Sequence, residues 1–174
     1  TQSNVYYDEM DSPIGVLTIA ATDHGVCYIH FGSIEYSIPT LKVWLKKRGL
    51  KGQLIQDEEK ISTIKMQLEE YFLGSRHEFD LPIDLYGTGF QKKVWEQLML
   101  IQYGETRSYK EIAQAIGAPK AVRAIGGANN QNPIPIIIPC HRVIGSNGAM
   151  VGYGGGLDKK ELLLQLEGVI EKIS

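Results

Sequence analysis

Ser108–Asn129 reads SYKEIAQAIGAPKAVRAIGGAN, and the expected fold of the second half of the chain follows from it. Ser108 with Glu111 three residues on has the form of a capping box, in which each side chain satisfies a backbone N–H at a helix start. This helix is expected to run through Ile116 and to stop at Gly117. Pro119 then stands where a first helical residue tolerates proline, so a second helix is expected to about Asn129. Two short helices joined by a tight glycine-containing turn are the sequence form of a helix-turn-helix. The second helix holds Gly126 and Gly127 beside Ala121, Ala124 and Ala128. An interior glycine costs a helix about 1 kcal/mol relative to alanine. Two readings are open: close packing on another helix, or close approach to an outside surface such as a DNA backbone. Arg123 is the one long cationic side chain of that helix after Lys120.

Upstream, Thr88 and Gln91 form a second capping box ahead of an apolar stripe at Phe90, Val94 and Leu98, with Gly104 after the last turn. Leu81–Gly87 reads as a connector, which divides the chain into residues 1–83 and residues 84–174. The first part reads as mixed α/β. Ile14–Ala20 and Val26–Phe31 have strand composition, and Asp23-His24-Gly25 between them supplies a hairpin turn. Leu41–Arg48 reads as a short helix closed by Gly49. Asp57–Leu73 repeats apolar residues at Ile61, Ile64, Leu68 and Phe72, one face of a helix that Gly74 ends.

The bulk numbers are those of an ordinary globular protein: 174 residues, 43% hydrophobic and 22% charged, with a net charge of −2. The sum hides an asymmetry. Residues 1–83 hold 8 Lys/Arg against 12 Asp/Glu, whereas residues 84–150 hold 7 against 4. A mildly basic middle segment is compatible with a small DNA footprint. No apolar run approaches the ~20 residues that cross a bilayer, and no signal-peptide pattern opens the chain, so no membrane association and an intracellular location are expected. With only Cys27 and Cys140, a structural disulfide is not expected, and each thiol needs its own explanation.

Asn132-Pro133-Ile134-Pro135-Ile136-Ile137-Ile138-Pro139-Cys140-His141-Arg142-Val143 carries the chemistry. The isoleucine run reads as a buried strand, bracketed by prolines, that delivers a cysteine, a histidine and an arginine at its end. A thiolate is a strong nucleophile, and a neighbouring imidazole can take its proton. Adjacent side chains on a strand point to opposite faces, so the dipeptide alone leaves two readings open: a reactive pair, or a small core residue beside a satisfied polar one. Cys27, inside an apolar strand, is read as core.

Pro139-Cys140-His141-Arg142 followed by Val143 resembles the active-site signature of the O6-alkylguanine-DNA alkyltransferases. The resemblance extends over residues 88–168, through Ser108-Tyr109, through Lys120–Ala128, and through Tyr153-Gly154-Gly155-Gly156-Leu157 to Glu167-Gly168. Residues 1–80 match more loosely, mainly through Asp11–Gly15. The resemblance implies a ribonuclease-H-like α/β N-terminal domain and a mainly helical, winged-helix-like C-terminal domain. It implies transfer of an alkyl group from the O6 of guanine in double-stranded DNA, with O4-alkylthymine a further candidate, onto Cys140, which is used once. His141 would act as the base through a water, Glu167 would orient His141, and Asn132 would brace the active-site turn. Tyr109 would meet the flipped nucleotide. Val143, Gly154, Gly155 and Tyr153 would line the guanine pocket, and Pro135 would pack on the alkyl group. Arg123 would fill the gap left in the duplex, with Ser108, Ala121, Gly126 and Gly127 on the DNA face. The minor groove, a monomer and a cytoplasmic location (nuclear in a eukaryote) are implied, and no cofactor.

Departures from the family matter as well. Cys27, His24, His30 and His77 offer one thiol and no paired cysteine spacing, so the zinc that some members bind is not expected. Gly154 stands where several relatives carry serine. Cys140 argues against the alkyltransferase-like proteins, which replace the acceptor. A separate regulatory domain is not expected within these residues. Two rival readings use the same residues: a lesion-sensing or regulatory DNA-binding protein with an inert Cys140, and a cysteine hydrolase that turns over.

Overall fold

The computed structural model describes residues 4–148, 153 and 155–169. The chain separates into two compact units between Tyr86 and Gly87.

The first unit is built on a four-stranded sheet of order β3-β2-β1-β4, from β1 (Val5–Met10), β2 (Leu17–Thr22), β3 (Gly25–Phe31) and β4 (Leu54–Gln56). The β2–β3 hairpin stands where the sequence places it, while β1 and β4 are additions. Strand β1 pairs antiparallel with β2 and parallel with β4. Alternation along β1 divides two helices between the sheet faces. Val5 and Tyr7 face helix α1 (Ile34–Lys47), packing with its Leu41 and Leu45. Tyr6 and Asp8 meet α2 (Glu58–Phe72), where Lys60 lies over the Tyr6 ring and Lys65 pairs with Asp8. Every residue of β2 is buried, Thr18 and Thr22 included.

Helix α1 begins seven residues before the expected Leu41, capped by Ser33, and it contains Pro39. Proline removes one helical hydrogen bond, and burial of Leu41 and Leu45 on the sheet offsets that loss. Helix α2 has the expected extent, with Asp57 as its cap. At Gly25 two demands meet. Its φ is +143°, and a Cβ there would stand 2.4 Å from the Pro82 carbonyl oxygen. The close approach lets residues 82–84 run beside β3, with Val26 N–H donating to Pro82 and Asp84 N–H to Val26. Asp84 accepts from Thr22 and from Tyr86, which fastens the end of the unit.

The second unit holds α3 (Gly89–Leu98), β5 (Arg107–Ser108), α4 (Tyr109–Ala115), α5 (Val122–Asn130), a 3-10 turn (Cys140–Arg142), β6 (Val143–Ile144) and α6 (Leu157–Leu166). Both expected capping boxes, Thr88/Gln91 and Ser108/Glu111, are formed. The buried stripe of α3 is Val94, Trp95 and Leu98; Phe90, expected on that stripe, is 36% exposed, and Trp95 takes its place. The Trp95 indole donates to the Ala128 carbonyl at 2.8 Å and so ties α3 to α5. Helix α5 starts at Val122 rather than Pro119: residues 119–120 are a turn, and Ala121 closes it by a backbone bond to Ala118. Helices α4 and α5 thus form the helix-turn-helix. The parallel pair β5–β6 joins the residue before α4 to the segment after the Cys-His-Arg turn. Among the described residues, no helix is long and apolar enough to cross a membrane.

Candidate active site around Cys140

The segment before Cys140 is not a strand. Pro133, Pro135 and Pro139 have no N–H to give to a ladder, which bars a central strand. It folds instead as a compact loop: Ile138 N–H donates to Ile134, and Pro135 and Ile138 form an isolated bridge. Ile136 adopts a φ of +75°, strained for a β-branched residue. Asn132 closes the loop from within, its Nδ2 donating to the Ile138 carbonyl at 2.8 Å and its Oδ1 accepting from Ile134 N–H at 2.9 Å. The isoleucines are buried all the same, so the apolar run is core without being sheet.

This loop presents Cys140, His141 and Arg142 on one 3-10 turn, where adjacent side chains are not forced to opposite faces. The turn is held by Asn129, whose Nδ2 donates to the Cys140 carbonyl at 3.3 Å. The thiol of Cys140 is buried, and burial pushes its pKa up to about 11 against the pull of Asn132, the Lys160 charge and Tyr153. At neutral pH it rests as a thiol and needs a base to become a nucleophile. Beside it in sequence, the fully buried His141 places Nε2 2.6 Å from Oε2 of Glu167. Burial holds the His141 pKa below its ordinary value. Neutral imidazole facing a carboxylate carries its proton on that side, which leaves Nδ1 as the acceptor. Nδ1 is buried and has no hydrogen-bond partner among the described residues.

Glu167 sits just past α6, its side chain fully buried. Burial alone would raise its pKa, but the bonds and charges of His141 and Arg142 prevail and bring it down to about 2. Arg142 donates to Oε1 at 2.8 Å and to Oε2 at 3.0 Å, and Gly104 N–H adds a longer bond to Oε1 at 3.3 Å. Lys160 is fully buried on α6 and donates to the Val143 carbonyl at 2.5 Å; burial lowers its pKa to about 8. The arrangement is a protonated nucleophile, a neutral base and a fixed carboxylate, next to a helix-turn-helix.

Residues 89–169 match the DNA binding domain of the 6-O-methylguanine DNA methyltransferases, and residues 5–85 match their ribonuclease-like domain. The chain belongs to the 6-O-methylguanine DNA methyltransferase family. It is 47% identical to the methylated-DNA–protein-cysteine methyltransferase of Methanosarcina acetivorans over 94% of this chain and 99% of that one. The crystal structure of the Mycobacterium tuberculosis O6-methylguanine methyltransferase superposes with a TM-score of 0.79 at 45% identity, covering 94% and 92% of the two chains. The same mycobacterial protein, solved in complex with DNA, gives 0.79 at 43% identity over the same shares.

Within this family member, the residues singled out from sequence fall into two groups. Asn132, Cys140, His141, Glu167, Tyr109 and Tyr153 converge. Tyr109 opens α4, is buried, and hydrogen-bonds Asn129; its pKa is raised by burial and then by Cys140. Tyr153 is buried and hydrogen-bonds Cys140. Val143 and Pro135 are buried on β6 and in the loop, and Gly155 precedes α6. Gly154 lies outside the described residues. The second group lies on the helix-turn-helix: Ser108 caps α4, Ala121 caps α5, and Arg123 and Gly127 are exposed on α5. A Cβ added at Gly127 meets nothing, and one at Gly126 comes no nearer than 3.9 Å to Tyr109. Packing among the described residues therefore does not require these glycines. A cleft of about 470 Å³ lies between Tyr109, Lys110, Pro119, Val122 and the Gly145–Asn147 loop.

Arg142, Asn129 and Lys160 were given no role by the sequence. For Lys160 a signal existed: three and four residues before Leu163 and Leu164, it falls with them on the buried stripe of α6.

Proposed function

We propose that this protein restores alkylated DNA by moving the alkyl group from the O6 of guanine to the sulfur of Cys140. The observation that carries the reading is the buried Cys140 thiol on the same turn as a neutral His141 whose Nε2 is held by Glu167. His141 takes the thiol proton at Nδ1 through a water, as in the family. The thiolate attacks the alkyl carbon, the carbon–O6 bond breaks, and its electron pair leaves with the guanine, which is protonated. Tyr109, beside Cys140, is the candidate donor of that proton. The product is a thioether, which a general base does not hydrolyse, so each chain reacts once.

The target carbon is inaccessible inside a duplex, so the nucleotide is rotated out of the stack. Arg123 fills the gap, and the small-residue face of α5 at Gly126 and Gly127 lets the helix come close to the minor groove. Ser108 and Ala121, at the starts of α4 and α5, also meet the DNA. Asn132 braces the acceptor loop; Val143, Gly154, Gly155 and Tyr153 line the base pocket, with Pro135 against the alkyl group. The protein acts as a monomer in the cytoplasm, or in the nucleus of a eukaryote, on double-stranded DNA bearing O6-alkylguanine, without a cofactor.

Stoichiometry tests this reading. Guanine restored from an excess of O6-methylguanine duplex is expected to stop at one per chain. Continued turnover would make the protein a cysteine hydrolase, and DNA binding without restoration would make it a lesion sensor.

A further inference from the structure

Arg142 carries a permanent charge into a cluster with almost no access to water; it is 6% exposed. Two of its nitrogens bind the two oxygens of Glu167, and Nη1 donates to the Ile101 carbonyl at 2.7 Å. The Tyr103 ring lies 5.8 Å from its Cζ. One guanidinium thus ties the loop after α3 to the Cys-His-Arg turn and to the end of α6. Oε2 of Glu167 receives both the imidazole and the guanidinium. A carboxylate already matched by a fork-bonded guanidinium has less attraction left for a second cation.

The groups around His141 can be named. Glu167 favours the imidazolium, whereas Arg142 and the buried Lys160 of α6 oppose it. Tyr103 and Cys140, whose pKa values are raised by burial, are uncharged at neutral pH. Burial of His141 acts in the same direction as the two cations. Glu167 alone would work toward a protonated and therefore useless base; burial of His141 is the largest influence against it, and the Arg142 guanidinium, bonded to the same carboxylate, adds to that opposition.

We propose that Arg142 is a positioning residue of the acceptor site: its guanidinium fixes the Glu167 carboxylate and compensates its charge, so that His141 stands neutral with Nδ1 open to receive the thiol proton. This rests on the alkyl-transfer reading given above. Removing the guanidinium charge removes a downward influence on the His141 pKa, so that pKa rises, and the acid limb of the rate profile moves to higher pH.

The test measures the rate of reaction with O6-benzylguanine, a free base that needs no DNA, from about pH 5 to about pH 9 in wild type, Arg142→Gln and Arg142→Lys. Arg142→Gln is expected to shift the acid limb upward by about one pH unit, about tenfold in rate on that limb, with a high-pH plateau within a few-fold of wild type. Arg142→Lys, which keeps the charge, is expected to leave the limb in place. Equal loss at every pH in Arg142→Gln, or the same shift in both variants, would overturn the proposal. Should Arg142→Gln fail to fold, a nitrogen NMR titration of His141 in wild type and Arg142→Met replaces it. A higher imidazole pKa without the cation supports the proposal; an equal one, or an imidazolium in wild type at neutral pH, sinks it. A wild-type protein that restores no guanine in O6-methylguanine duplex would instead contradict the alkyl-transfer reading, which the NMR result does not depend on; should wild type spare the free base, the same pH series is run on that duplex.

Discussion

At the scale of single residues, the site turns on where one proton rests. Cys140 holds its proton to about pH 11, and Glu167 gives its own up at about 2, so across the neutral range the thiol is neutral and the carboxylate charged. Glu167→Gln removes the charge that favours an imidazolium on His141 and so makes His141 a weaker base. Transfer is therefore expected to slow by ten-fold or more, on the order of one pKa unit of lost basicity, at neutral pH. The deficit should shrink as pH rises toward the thiol's own range, because hydroxide then makes the thiolate without His141. A pH series of single-turnover rates checks this, and a deficit that is constant with pH would leave Glu167 a purely structural part. Cys27 presents the contrast. Burial, with Asp84 nearby, raises its pKa to about 12, and no imidazole is hydrogen-bonded to it among the described residues.

At the scale of elements, α5 shows a cost that the fold does not explain. Open space beyond Gly127 means that Gly127→Ala removes a helix penalty without a clash, and it should stabilise the protein by about 1 kcal/mol. The same methyl group would stand between α5 and a closely approaching duplex. The expected outcome is a higher melting temperature with weaker duplex binding and unchanged reaction with free O6-benzylguanine; unchanged duplex binding would rule out a close approach of the duplex at Gly127. Arg123→Ala should separate the substrates in a related way, slowing reaction with modified duplex at least ten-fold, since unstacking costs roughly a few kcal/mol, while sparing the free base. Equal losses on both substrates in a variant that melts normally would place Arg123 in the pocket instead. Elements with local signals were legible in the sequence. Thr88/Gln91 and Ser108/Glu111 announce α3 and α4 because capping is a contact within one turn. The acceptor loop was misread because its isoleucines report burial, and burial alone does not distinguish a strand from a loop; its three prolines were the better evidence. Strands β1 and β4 were missed because β4 is three residues long and their pairing is settled by contacts distant in sequence.

At the scale of the whole molecule, the order α/β unit then helical unit was readable from the change in hydrophobic period along the chain. The acceptor could be named from Pro139–Val143 and Glu167 from the family resemblance, but Lys160 and Asn129 could not. They reach Cys140 from α6 and α5, and only folding brings these segments together. The central claim is that this assembly exists to make one sulfur, Cys140, into a methyl acceptor. Peptide mass spectrometry after mixing the protein with an excess of O6-methylguanine duplex tests it most directly. One methyl group per chain is expected, on the peptide holding Cys140, with Cys27→Ser modified to the same extent and Cys140→Ser unmodified though still bound to DNA. A methyl group on Cys27, or transfer that persists without Cys140, would contradict it.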